Sequence, residues 1–407
     1  MFDPVTDPAP LGFDAARLRR IGPWMQGWVD SGRLPGVQVV VARRGRVVVD
    51  ACAGFRDVEA AAPWTPDTVV RIYSMTKPIV SAALLSLWEE ARCHLDTPLD
   101  AFLPEFAAPQ VLIPGATALD QTRPARTRLT LHHLLTHTSG LTYGFNEGVL
   151  AGAMAERGVE FSAQDATLAE RVRALAGLPL AFEPGTRWNY GVSTDVIGRV
   201  VEVISGQPLD RFLAERILGP LGMADTGFEV RADQLPRFAS CYAKTAEADR
   251  VLWDPASDSR FGPGRVRLFS GGGGLVSTAA DYLRFAEMLR GGGALGATRI
   301  LAPKTVALMT ANALRGDLAS MGQPVFSEVS FDGVGFGLGV SVTLDPALAK
   351  TAGSAGDYGW GGMASTVFWV DPALEMSAVL LTQLMPSSSW PIRKEIRALV
   401  HGALTHP

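Results

Sequence analysis

The stretch that decides the reading is RIYSMTKPIVSAALLSLWEE, residues 71–90. It places Lys77 three residues after Ser74, at the head of an apolar run. The chain has only five lysines, at 77, 244, 304, 350 and 394, and lysine is costly to bury. Residues three apart on a helix share a face. The run after Lys77 is apolar nearly all round, so the spacing predicts a buried helix to about residue 90. Ser74 is expected at its N-cap, at the positive end of the helix dipole, and Pro78 is tolerated in the first turn. Lys77, one turn deeper, is desolvated, which lowers a lysine pKa from about 10.4. A hydroxyl beside such an amine suits a nucleophile next to its proton acceptor or electrostatic anchor. Chance alone gives about 0.3 S-x-x-K matches for five lysines and 23 serines in 407 residues, so the motif needs partners.

Outward from this helix, GVQVVVARRGRVVVDACAG (36–54) has two β-branched runs around Arg44-Gly45 and predicts a hairpin. Helical spacing precedes it over residues 14–31. From about 95 to 264 proline and glycine punctuate short helical segments, including one over 163–175 and one over 194–204 continuing toward 218. Residues 229–267 show no period and are expected to be mostly loop. Strand character returns in FGLGVSVTL (336–344), MASTVFWVD (363–371) and EMSAVLLTQL (375–384), and a helix is expected over 391–404. The expected class is α/β of the α+β type, with one antiparallel sheet flanked by helices and built from both chain ends. Residues 1–95 and 265–407 would form the sheet domain, and residues 96–264 an inserted, mainly helical one.

Composition narrows the function. The net charge of -4 offers no basic surplus for nucleic acid or an anionic membrane, and a small-molecule substrate fits better. Cys52, Cys93 and Cys241 have no metal-type spacing and read as reduced thiols. The polar, proline-containing N-terminus does not read as a signal peptide, and no apolar run is long enough to span a bilayer, so a cytoplasmic protein is expected. No cofactor is called for. His133 and His137, spaced i, i+4, lack the glutamate of a zinc-hydrolase helix, and no metal site is expected. No serine has glycine at both -2 and +2, which sets aside a nucleophile-elbow hydrolase. Lys304-Thr305-Val306 is only a superficial K-T-G. Gly271 to Gly274 lacks a phosphate-loop context and reads as a turn.

Three segments join SMTK: LHHLLTHTSGL (131–141), FEPGTRWNYGV (182–192) and GWGGMAST (359–366). Together they resemble the serine β-lactamase and penicillin-binding-protein superfamily, most closely the family VIII carboxylesterases, along nearly the whole chain. The resemblance implies that Ser74 is the acylated nucleophile, Lys77 its partner and Tyr190 the proton shuttle. It pairs the Ser74 amide with that of Met363, on the strand after Gly361-Gly362, as an oxyanion hole. Tyr73, Trp188, Trp360, Gly361 and Gly362 are the expected substrate wall.

Two departures bear on substrate. Where related branches carry an asparagine two residues after the tyrosine, this chain has Val192. Where their third motif begins with a cation, it has Trp360. Losing an amide clamp and a cation suits a neutral, partly apolar ester, with Asn189 as the one candidate replacement amide. The expected activity is a carboxylesterase on short- to medium-chain acyl esters. An acyltransferase and a β-lactamase or D-amino-acid peptidase are the rivals on the same scaffold, and a non-catalytic binding module is the rival of another class.

Overall fold

The computed structural model describes residues 5–159, 161–162, 164–323, 325–326, 329–387 and 389–406. β1 (Gly36–Arg43) and β2 (Arg46–Asp57) form the expected hairpin. Arg44 and Gly45 turn it at positive φ, 54° and 75°, as a two-residue connection between twisted strands requires. β3 (Ala62–Pro63) extends its outer edge. Late in the chain come β4 (Val334–Phe336), β5 (Ser341–Thr343), β6 (Tyr358–Gly361), β7 (Val367–Asp371) and β8 (Met376–Thr382). The spatial order is β4-β5-β6-β7-β8-β1-β2-β3, antiparallel throughout. The chain ends meet at the middle, with Val37 opposite Thr382 and Arg43 opposite Met376.

Alternation along these strands feeds two cores. Val37, Val39, Val41, Trp369 and Leu380 face α1 (Ile21–Asp30) and α5 (Ile392–His401). Val40, Ala42, Phe368 and Val379 face the other way, onto α4 (Ala279–Arg290) and α2 (Thr76–Glu89). α2 is buried on every side from Thr76 to Leu87, with α3 (Ser193–Ser205) packed beside it. The Ser74 helix therefore runs through the centre of the molecule. No helix among the described residues is long and apolar enough to cross a membrane.

Several local expectations change. The helical spacing over 14–31 splits into Ala15–Leu18 and α1. FGLGVSVTL is a hairpin of β4 and β5 rather than one strand, because Gly339 turns the chain at φ 96°. The helix expected from 163 has its first residue outside those described. It runs Leu168–Ala176, started by a capping box between Thr167 and Glu170. The next helix stops at Gly206, whose φ of 74° ends it, and the chain restarts as Leu209–Leu213. Within 229–267, Cys241–Ala243 and Val251–Asp254 are paired strands, the first also parallel to Leu384–Met385. That pairing ties the end of the helical region to the chain's last strand.

Candidate active site

Ser74 lies in a single 3-10 turn, Tyr73–Met75, leading directly into α2. It is not the N-cap: Met75 holds that position, and no side chain among the described residues caps the helix. The turn begins with Tyr73 at φ 43°, a conformation that costs an L-residue roughly 1–3 kcal/mol. Tyr73 is held there because its ring is buried among Val69, Val230, Phe238 and Phe261. The strained turn presents Ser74 Oγ to a cavity of about 630 Å³.

Two groups donate to that oxygen, and further residues hold both of them. Lys77 Nζ donates to Ser74 Oγ at 3.1 Å, and Tyr190 Oη donates to it at 2.7 Å. Lys77 is fully buried, and its other donors reach Tyr143 Oη at 2.9 Å and the Gly272 carbonyl at 2.7 Å. Three acceptors around Nζ match the three N–H donors of an ammonium. The same nitrogen lies 4.6 Å from the Tyr190 ring centroid, close enough for a cation–π contact. The Trp360 indole donates to Tyr190 Oη at 3.3 Å.

Tyr143 and Gly272 carry no role in the motif reading. Tyr143 stands just after the LLTHTSGL segment, stacked on Phe145 at 4.7 Å, and lines the cavity. The glycine tract 271–274 wraps the head of α2. Asp195 holds it there, accepting from Ser270 Oγ at 2.5 Å and the Gly272 amide at 3.0 Å. Burial pushes the Asp195 carboxyl up from its ordinary pKa, against the pull of those bonds and of Lys77.

Opposite the nucleophile, β6 ends at Gly361 and a turn follows. A Cβ on Gly362 would sit 2.3 Å from the Ile72 carbonyl oxygen, so glycine lets the turn lie against the backbone just before Ser74. The Gly362 amide donates to Thr366 O at 2.9 Å. Met363 lies in the turn itself, not on a strand as expected. Its amide donates to no protein acceptor among the described residues, and its side chain is exposed at the cavity rim.

The expected wall is partly reassigned. Tyr73, Trp360, Gly361 and Gly362 line the cavity. Trp188 does not, because its ring stacks behind Tyr190 at 6.2 Å and packs on Phe336. Asn189 does not replace the missing amide clamp, since its Nδ2 donates to the Leu141 carbonyl at 2.9 Å. His133 closes a capping box with Thr130. His137 is fully buried against Trp188, Tyr190 and Phe336, with no hydrogen-bond partner for either ring nitrogen among the described residues. Burial, and then the charge of Lys77, hold its pKa well below the ordinary value.

A serine hydroxyl flanked by lysine and tyrosine, at the head of a buried helix beside an antiparallel sheet, is the arrangement of β-lactamase-fold serine hydrolases. The family described as Beta-lactamase matches residues 22–402, and the chain belongs to it. Among relatives, the chain is 38% identical over 366 residues to the protein Rv1367c of Mycobacterium tuberculosis, covering 88% of each. It is 37% identical over 395 residues to Esterase EstB of Burkholderia gladioli, covering 92% of this chain and 93% of that one. Among solved structures it superposes on EstCE1, described as a hydrolase with promiscuous acyltransferase activity. The TM-score there is 0.78 at 29% identity, covering 95% of this chain and 98% of the other.

Proposed function

We propose that the protein is a serine carboxylesterase that works through an acyl-enzyme on Ser74. The observation that carries this reading is the placement of Ser74 Oγ within 3.1 Å of Lys77 Nζ and 2.7 Å of Tyr190 Oη, at the head of a largely apolar cavity. With three acceptors around Lys77 Nζ, its role is electrostatic, and Tyr190 is the base. In the reactive form Tyr190 Oη takes the Ser74 proton as Oγ attacks the ester carbonyl. The oxyanion settles against the Ser74 and Met363 amides. Tyr190 returns the proton to the departing alcohol, then takes a proton from the water that attacks the acyl carbonyl and passes it to Ser74 Oγ as the acid leaves.

Relatives support the ester chemistry: one bears the name esterase, and another is described as a hydrolase that also transfers acyl groups. Acyl transfer, with an alcohol in place of water, is the second reading. The three cysteines are unpaired, which fits a reducing, cytoplasmic compartment.

The test is hydrolysis of p-nitrophenyl butyrate by the wild type and by Ser74→Ala, beside a chromogenic cephalosporin. Ester turnover should fall by at least about 10³-fold in the variant, with little cephalosporin cleavage by either protein. Undiminished ester turnover by Ser74→Ala would overturn the mechanism. An acyl adduct that persists on the wild type until an alcohol is added would favour the transferase.

A further inference from the structure

Asp195 stands five residues after Tyr190, in the first turn of α3. An acid at that position suits the helix dipole. Such residues are ordinarily solvated, whereas Asp195 is fully buried. Its hydrogen bonds run across to another segment: Oδ1 accepts from Ser270 Oγ at 2.5 Å and from the Gly272 amide at 3.0 Å. Oδ2 has no hydrogen-bond partner among the described residues. A carboxylate oxygen left so in the interior is costly. Helix propensity does not explain an acid kept at that cost beside a nucleophile, and a part in the chemistry does.

The segment that Asp195 grips is the one that holds Lys77. The Gly272 carbonyl accepts from Lys77 Nζ at 2.7 Å, the shortest of that nitrogen's three bonds. Gly272 is thus bonded at both ends, by its amide to α3 and by its oxygen to the lysine. The two segments lie in close contact: a Cβ on Gly271 would stand 2.5 Å from Thr194 O, and one on Gly272 2.3 Å from Asp195 Oδ2. Past the glycines, the Leu275 amide donates to Thr76 Oγ1 at 3.1 Å, which ties the far end of the tract to α2. Between these two ties the Gly272 carbonyl has a fixed place. Residues 190–195 therefore supply one partner of Ser74 Oγ directly, as Tyr190, and reach the other through Asp195 and Gly272.

We infer that Asp195 is a positioning residue for the reaction at Ser74: by fixing the Gly272 carbonyl it sets where Lys77 Nζ stands relative to Oγ. Asp195 is not among the described residues that line the cavity, so it acts through the lysine and not on the substrate. The inference rests on the esterase reading and adds a residue to its machinery. Without the carboxylate the tract keeps its tie to Thr76, but the Gly272 amide loses its acceptor and the carbonyl can turn away from Nζ. Lys77 is then held by Ser74 and Tyr143 alone.

A double-mutant cycle separates this role from a simple loss of stability. Asp195→Ala should lower kcat for p-nitrophenyl butyrate about 30-fold per folded molecule, with KM changed less than about twofold. In the Lys77→Met background the same substitution should cost less than about threefold, because the group it positions is gone. Asp195→Asn keeps the size and an accepting oxygen without the charge that strengthens its bonds, so it should lose about fivefold, and nothing once Lys77 is replaced. If Asp195→Ala does not fold, the Asp195→Asn cycle decides alone. Wild-type kcat in both variants, or a loss as large in the Lys77→Met background as in the wild type, overturns the inference. Where the wild type turns over no ester, the same cycle is read as rates of Ser74 labelling by a fluorophosphonate, followed by intact mass. That reaction needs an activated serine and no particular substrate. A wild type that neither hydrolyses the ester nor labels at Ser74 overturns the esterase reading, and this inference with it.

Discussion

Arg71 and Lys77 are both fully buried and stand three residues to either side of Ser74, yet they are held in opposite ways. Arg71 Nε pairs with Asp254 at 2.7 Å, its Nη1 donates to Ala239 O, and its guanidinium covers the Phe238 ring at 4.2 Å. Lys77 meets three neutral oxygens, and no carboxylate bonds to its nitrogen among the described residues. A buried charge neutralised by a carboxylate is structural, whereas one solvated only by dipoles still exerts its field on whatever charge develops nearby. The pair of variants Arg71→Met and Lys77→Met breaks or upholds this contrast. Lys77→Met should lose about 10³-fold in ester turnover with an almost unchanged unfolding midpoint. Arg71→Met should destabilise by roughly 3–5 kcal/mol, because Asp254 is left without its counter-charge, while its folded fraction keeps turnover. Denaturant titrations and initial rates on both proteins give the answer. A stable Arg71→Met protein, or an active Lys77→Met one, would mean that the two cations do not divide the work this way.

The same contrast explains what could be read in the sequence. α2 was legible because an apolar run with one lysine has no other economical reading, and β1–β2 because two β-branched runs flank Arg44-Gly45. β6 escaped notice since Gly359 and Gly361 leave only Tyr358 and Trp360 to carry the alternation. The strands at Cys241–Ala243 and Val251–Asp254 are too short to show a period. Within the site, Ser74, Lys77 and Tyr190 stood out as motif residues, and the fold brings them together. Tyr143 and Gly272 did not, because one contributes a lone hydroxyl from a loop and the other a backbone carbonyl that any residue possesses. Trp188 was misplaced for a related reason. An aromatic two positions before Tyr190 has the same spacing whether it forms the wall or backs it.

Tyr143 sharpens the contrast, since its hydroxyl is one of the three acceptors that hold Lys77. Tyr143→Phe keeps the ring against Phe145 and removes only that oxygen. One lost hydrogen bond to a charged group is worth roughly 1.5–3 kcal/mol, part of which relaxation of the lysine recovers. Turnover of p-nitrophenyl butyrate should fall about tenfold, and a pH–rate profile should change shape with it. An unaltered rate and profile would show that Ser74 and Gly272 suffice to place Nζ, and that Tyr143 only lines the cavity.

His137 is another buried titratable group beside the site, and neither of its ring nitrogens has a hydrogen-bond partner among the described residues. Burial first and Lys77 second push its pKa well below the ordinary value, so the folded protein holds a neutral imidazole. The unfolded chain, with an ordinary histidine near 6.5, binds the proton first as pH falls. Stability from this residue is therefore complete above about pH 6.5 and drains away below it, by about 1.4 kcal/mol per pH unit until the folded value is reached. His137→Asn removes the titration and suits the φ of 54° at this position. It will shift stability by a constant through lost packing, so the informative quantity is the slope. Urea titrations at pH 7.5 and 5.5 should show the wild type losing about 1 kcal/mol more than the variant over that interval. Parallel losses would mean that His137 takes up a proton in the fold, and that the pocket around Lys77 solvates a second positive charge.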